Sequence, residues 1–307
     1  MDAGTDTADH SPAGRREPGI GVNARMPGEL PHGTGVRAPV GPDPTRPSIA
    51  RVHDYSLGGK DNYEVDRSFF HDILQLAPNM RKVPSMSRLW LDRLVRHLVG
   101  EVGIDQIVDL GAGLPAATNI HEIAHQYDRG ARVVYVDNDP LCCTHGRALL
   151  ERHAGVRYVQ GDLTEPRTLL PEIAGHIVPG RPLTVILSGV LHHVPDELDP
   201  AAIARAYTEF LPPGSYLAIS HYLDPTDDPA AHRLARELEH RFVHGVGSGW
   251  FRTREQIATY FGGLELVDPG LVELGDWWPY GPAPRPRSVE ERLMLGALGR
   301  VPTLTTR

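Results

Sequence analysis

Three carboxylates stand out by position. Asp109, Asp137 and Asp162 end or closely follow short apolar runs: Gln106-Ile-Val-Asp-Leu110, Arg132-Val-Val-Tyr-Val-Asp137 and Val156-Arg-Tyr-Val-Gln160. The first run leads into Gly111-Ala-Gly113 and then a helical pattern. Glycine lacks Cβ and takes positive φ, so a ligand can approach the backbone there. The free N–H groups at the start of the following helix face the same space. Open α/β sheets bind ligands outside the carboxyl ends of their strands, so the three acids gather at one edge beside the glycine turn. One such Asp alone is explained as a helix N-cap. Three at strand ends call for a shared ligand.

Two cofactors compete for that edge. With S-adenosylmethionine, Asp109 faces the methionine ammonium, and Asp137, with Asn138 beside it, accepts from the ribose hydroxyls in charge-assisted hydrogen bonds. Asp162 accepts from the adenine amino group, and the Leu163 N–H reaches a ring nitrogen. With a dinucleotide, Gly111, Gly113 and Ala116 meet the loose glycine fingerprint and Asp137 lies near the required distance. Asp109 decides against the dinucleotide. A carboxylate two residues before the first glycine would repel a diphosphate, whereas an ammonium would welcome it. The spacing therefore favours S-adenosylmethionine, with an NAD(P)-dependent oxidoreductase and a non-catalytic S-adenosylmethionine-binding sensor as alternatives.

A fourth apolar run leads into Ser188-Gly-Val-Leu-His-His-Val-Pro-Asp196. Ser188 joins the cofactor set, and an imidazole at this edge can take a proton from an acceptor hydroxyl or amine. Neighbouring side chains diverge on a strand or a helix, so at most one of His192 and His193 is expected in the site. His192 is the candidate base and His221 a weaker one. No ligand spacing is found among the sixteen histidines, so no metal site is expected.

Upstream, residues 47–63 gather Arg51, Asp54, Tyr55, Lys60, Asp61, Asn62 and Tyr63 around Gly58-Gly59. The segment reads either as a loop pinned on the surface or as a lid whose glycines allow closure and whose polar groups touch ligand. Tyr55 or Tyr63 would then help hold a sulfonium. Trp250, Trp277, Trp278 and Tyr280 read as packing or as the lining of an aromatic acceptor pocket.

The elements that position these residues alternate. Helical spacing covers 64–76 and 85–99, strands are expected at 106–109, 132–137, 156–160, 183–187 and 215–220, and helices at 118–127, 140–152 and 200–211. Apolar strands separated by helices imply a parallel sheet covered on both faces. Beyond it, a helix is expected at 230–243, and Thr253-Arg-Glu-Gln256 opens another with a capping box. A short strand follows at 264–267. The stretch 292–301 fits either a helix or a strand. Residues 1–47 are rich in Gly, Pro, Asp and Thr and are expected to be a disordered tail before one domain over 48–307, of which 48–99 form lid and helices.

The totals narrow the class. A net charge of −8 over 307 residues shows no basic excess, which argues against a nucleic-acid or anionic-membrane partner without speaking to local patches. The two cysteines, Cys142 and Cys143, are adjacent, which is neither a disulfide framework nor a metal spacing. No apolar run approaches spanning length and no secretory leader opens the chain. A cytoplasmic enzyme acting on a small-molecule methyl acceptor is expected; nothing in the spacing speaks to oligomeric state.

The runs Val108-Asp-Leu-Gly-Ala-Gly-Leu-Pro115, Arg132-Val-Val-Tyr-Val-Asp-Asn-Asp-Pro140 and Val190-Leu-His-His-Val-Pro-Asp196, with Arg51-Val-His-Asp-Tyr-Ser-Leu-Gly-Gly-Lys-Asp-Asn62, resemble an actinomycete family of S-adenosylmethionine-dependent methyltransferases long catalogued as a domain of unknown function. The likeness runs from about residue 47 onward. It implies a Rossmann-like class I methyltransferase: α/β, a seven-stranded, mostly parallel sheet with an antiparallel last strand and helices on both faces. It favours the strand alternative at 293–300 and moves the 51–63 segment towards contact with cofactor or acceptor. The family commonly carries an aromatic where His193 stands, which favours His192 as the residue in the site.

Overall fold

Residues 43–279, 281 and 285–303 are described here from a computed structural model of the chain. The expected tail falls, up to residue 42, outside the described residues, as does Tyr280. Five strands form the parallel part of the sheet: β1 (Gln106–Leu110), β2 (Arg132–Asp137), β3 (Val156–Gln160), β4 (Thr184–Ser188) and β5 (Tyr216–Tyr222). Two-residue strands β6 (Glu265–Leu266) and β7 (Val272–Glu273) follow, and then β8 (Met294–Arg300). The order is β3-β2-β1-β4-β5-β8-β6, with β7 also paired to β8. The expected seven strands and reversed last strand are present, with β7 added: β8 runs antiparallel to β5, β6 and β7.

β1 is buried along its whole length, and β2 and β4 nearly so. Such continuous burial is what a sheet covered on both faces requires of its strands. The covering helices before β1 are α1 (Ile49–Ser56), α2 (Glu64–Leu76) and α3 (Val83–His97). Between strands lie α4 (Ile120–Ala124), α5 (Pro140–Leu149), α6 (Pro166–Ala174) and α7 (Pro200–Phe210), and beyond β5 come α8 (Pro229–Val246), α9 (Arg254–Ala258) and α10 (Val289–Arg292).

Local chemistry explains several starts. α5, α7 and α8 each open on Asp-Pro: Asp139, Asp199 and Asp228 accept from N–H groups of the first turn, while the proline occupies a position whose N–H would be orphaned anyway. α9 begins with the expected capping box of Thr253 and Gln256. The ambiguous end is both things in turn. Val289–Arg292 is one helical turn and Met294–Arg300 is strand.

Residues 49–56, expected in a loop or lid, are helical. Gly58 (φ 83°) and Gly59 then close a tight turn around Asp54. Asp54 Oδ2 accepts from Asp61 N at 3.0 Å and from Asn62 Nδ2 at 2.7 Å. A Cβ on Gly59 would stand 1.9 Å from Asp54 Oδ1, so close approach is what demands glycine there. Among the described residues no helix is long and apolar enough to cross a membrane, and no group of His, Cys, Asp and Glu is arranged to hold a metal ion.

Candidate functional site

Chain order reverses between β1 and β4, and a crevice opens at their carboxyl ends, the usual ligand position in such sheets. A cavity of about 480 Å³ lies there, in the ordinary size range for ligand sites. The three acids gather on it as the spacing predicts. Asp109, Asp137 and Asp162 line it together with Gly111, Gly113, Asn138, Leu163 and Ser188.

The glycine turn is built for close approach. Gly111 and Gly113 have φ of 74° and 69°. A Cβ at Gly111 would meet Val190 Cγ1 at 2.3 Å, whereas at Gly113 nothing lies within 4 Å. Asp137 braces the turn: Oδ2 accepts from Gly113 N at 2.8 Å and Oδ1 from Asp139 N at 2.9 Å. Asp162 Oδ1 accepts from the N–H and hydroxyl of Thr164, at 2.8 and 2.7 Å. Both acids therefore have a local structural task and spare lone pairs towards the cavity.

Asp109 differs from them. Its side chain is 7% exposed and accepts no hydrogen bond from any described residue. Burial pushes its carboxyl up to about 7, with Arg88 pulling the other way and Asp137 adding to the rise. A buried carboxylate with no partner is unfavourable. A cation placed in the cavity would relieve it. Arg88, on α3, also lines the cavity, and its guanidinium donates to Thr118 O. Spacing alone did not single it out.

The far end of the cavity is histidine-rich. A 3-10 turn at Leu191–His193 follows Gly189 (φ 68°) and turns both imidazoles to the cavity, with ring centroids 4.4 Å apart. The expectation that at most one would enter assumed strand or α-helical geometry. His193 Nδ1 is 2.8 Å from Ser248 Oγ. His192 is buried, its Nδ1 has no partner, and burial with the neighbouring His193, His221 and Arg252 holds its pKa well below the ordinary value.

His221 is already committed. Arg252 Nη1, which can only donate, lies 3.0 Å from His221 Nε2. His221 Nδ1 therefore carries the proton and donates to Tyr222 O at 2.7 Å. Its lone pair is not free to act as a base.

Arg51, Asp54, Tyr55, Lys60, Asp61, Asn62 and Tyr63 do not line the cavity, which Ser48, Ile49, Ala50 and His53 meet instead. Arg51 is buried against Asp66, and Tyr63 lies under the Arg51 guanidinium, 4.9 Å from centroid to Cζ. Tyr55 packs edge-on to Phe70 and bonds His71 through its hydroxyl at 3.0 Å. Asp54 and Asn62 hold the turn, Asp61 lies 3.4 Å from His145, and Lys60 is exposed. Trp277 is buried edge-on to Trp90 and donates to Gly296 O, and neither Trp250 nor Trp278 lines the cavity. Packing accounts for Trp277 and Trp278.

Comparison with known proteins adds family to geometry. The family model described as S-adenosyl methyltransferase matches residues 38–302. The chain belongs to that family. This methyltransferase is similar to two solved structures. One is a candidate methyltransferase from Thermobifida fusca YX, 38% identical, covering 84% of this chain and 96% of that one at a TM-score of 0.79. The other is a DUF574 family protein from Streptomyces avermitilis MA-4680, 33% identical, covering 85% and 99% at the same TM-score. No curated protein matches. Family membership makes this an S-adenosylmethionine-dependent methyltransferase and removes the oxidoreductase alternative. The donor set fits that cofactor: an unpartnered buried carboxylate, an open backbone at Gly113, and one arginine against the acids of three strand ends.

Proposed function

We propose that the chain methylates an O, N or C nucleophile of a small molecule in the cytoplasm, without a nucleic-acid or membrane partner. Bound S-adenosylmethionine supplies an electrophilic methyl group on a sulfonium. Asp109 holds the amino-acid ammonium and Arg88 the carboxylate beside it. Asp137, with Asn138 adjacent, accepts from the ribose hydroxyls. Asp162 and the Leu163 N–H meet the adenine, while Gly111 and Gly113 leave the backbone open to the ligand. Ser188, at the end of β4, lies towards the transfer point; its hydroxyl is 3.0 Å from Ser220 Oγ and 3.3 Å from Ser87 Oγ.

Positioning carries most of the catalysis in an in-line displacement, because orientation alone removes much of the barrier. His192 stays neutral, since burial and its neighbours disfavour the imidazolium. It accepts a hydrogen bond from the acceptor, and takes its proton only where the acceptor is acidic enough to give it up. The buried Asp109 carboxylate without a protein partner is the observation that carries the cofactor assignment.

Calorimetry with S-adenosylhomocysteine against NAD tests the assignment; binding of NAD alone would refute it. Transfer of a labelled methyl group into a metabolite extract tests turnover. Label found only in macromolecules would refute the small-molecule acceptor.

A further inference from the structure

Charge is divided unevenly around the cavity. Its charged wall residues are Asp109, Asp137, Asp139 and Asp162, at or just past the ends of β1, β2 and β3, and Arg88 on α3. The part of the wall from the ends of β4 and β5 with α8 and β8 is built from His192, His193, Tyr222, Phe242 and Met294. It offers no carboxylate, lysine or arginine. Arg252 is buried nearby but engaged by Leu191 O, Val194 O, His221 and Asp196, and it is not part of the wall. Burial is the leading cause that disfavours the imidazolium of His192 and His193, the latter lowered to about 4. A charged acceptor would lose its hydration here with no counter-ion in return.

The same wall is made of flat rings. Tyr222 stacks on Phe251 with centroids 4.6 Å apart and an interplanar angle of 3°, and the His192 ring lies 4.5 Å from Tyr222. Rings packed on one another in this way leave edges to the cavity, and those edges suit an edge-on contact with a planar ring. Two polar groups interrupt them: the Tyr222 hydroxyl, which bonds no described residue, and His192, whose Nδ1 is sealed in the wall so that Nε2 is left to meet a ligand.

We propose that the methyl acceptor is an uncharged, ring-bearing molecule that presents a phenolic or enolic hydroxyl to His192. This rests on the small-molecule methyl-transfer reading above and narrows it to oxygen. The acceptor oxygen supplies the electron pair of the new O–CH3 bond, and the pair of the broken C–S bond stays on sulfur. The hydroxyl proton goes to His192 Nε2 and then to solvent.

The test is equilibrium binding to the full chain saturated with S-adenosylhomocysteine, using naphthol, naphthoate, naphthylmethylammonium and plain naphthalene as probes. Naphthol should bind at least roughly tenfold more tightly than either ion, because only the ions lose hydration uncompensated. His192→Phe keeps the ring, so it should weaken naphthol about tenfold, the scale of one hydrogen bond, and leave naphthalene and S-adenosylhomocysteine unchanged. Either ion binding as tightly as naphthol, no naphthol binding at millimolar concentration, or a His192→Phe variant with undiminished naphthol affinity would overturn the proposal. A chain that fails to bind S-adenosylhomocysteine loses the cofactor reading as well, which separates the two failures.

Discussion

Arg51 Nε lies 2.8 Å from Asp66 Oδ2, and the two side chains are 3% and 0% exposed. Around this pair the segment before α2 is gathered. Asp66 also accepts from Ser48 N at 2.9 Å and Tyr63 N at 2.8 Å, and the guanidinium donates to Asp43 O and Arg46 O. The pair thereby fixes which side of α1 faces the cavity. Arg51 is part of the fastening, and Ser48, Ile49, Ala50 and His53 line the cavity.

Removing one partner should be costly. Arg51→Met strands a buried carboxylate, and urea denaturation should show a loss of roughly 3–5 kcal/mol. Arg51→Met with Asp66→Leu should cost less than the sum of the single changes, since neither charge is then left alone. Additive losses would show that the pair does not act as a unit.

Asp109 predicts proton release on binding. Its carboxyl is raised to about 7 in the free protein, so near pH 6 it is mostly protonated. An ammonium beside it favours the ionised form. Calorimetry in buffers of different ionisation enthalpy should show release approaching one proton per S-adenosylhomocysteine at about pH 6 and little above about pH 8. Affinity rises with pH across that window and then levels. For the ligand-free chain the sign is opposite: a raised carboxyl pKa favours folding below the ordinary value of 3.8, and that contribution is lost as pH rises through about 7. Asp109→Asn should abolish the released proton.

The two glycines of the turn should fail differently. Alanine at 111 collides with Val190 at 2.3 Å and sits at positive φ, so Gly111→Ala should cost roughly 2–4 kcal/mol of stability. Alanine at 113 has open space around it, so Gly113→Ala should carry only the backbone strain of about 1–2 kcal/mol. That open space is the ligand's, and S-adenosylhomocysteine affinity should fall more in Gly113→Ala than its melting temperature suggests. The reverse ranking would move the cofactor away from the turn.

Arg252 should prove structural. Replacing it with Leu leaves Leu191 O, Val194 O and His221 Nε2 without their donor, and chemical denaturation should report a loss of roughly 2–4 kcal/mol. Nitrogen NMR of the parent chain should show His221 protonated at Nδ1. Protonation at Nε2 would contradict the hydrogen bond from Arg252.

Strand positions and the acids at their ends were legible because apolar runs and Asp-Pro helix starts are local signals. β2, β3 and α2 occur at the residues expected. The remaining wall of the cavity was less visible. Tyr222 ends β5, Phe242 is on α8 and Met294 begins β8, so the fold brings together residues that no spacing rule connects. Arg88 was hidden for the same reason, being one polar residue on an otherwise ordinary amphipathic α3. The 51–63 segment stayed open between two readings because a buried ion pair and a ligand clamp use the same residue types. Burial separates them, and burial of a short polar stretch is set by its partners elsewhere in the chain.

β8 is the last strand in sequence yet lies inside the sheet, between β5 and β6. A nascent chain that has emerged only as far as β7 has a raw edge along β5, with seven residues still lacking their partner. It also lacks Met294, which lines the cavity. Completion of the sheet and completion of the pocket are thus the same late event in synthesis. A ribosome-bound intermediate should be sticky and unable to retain ligand until that final segment slots home.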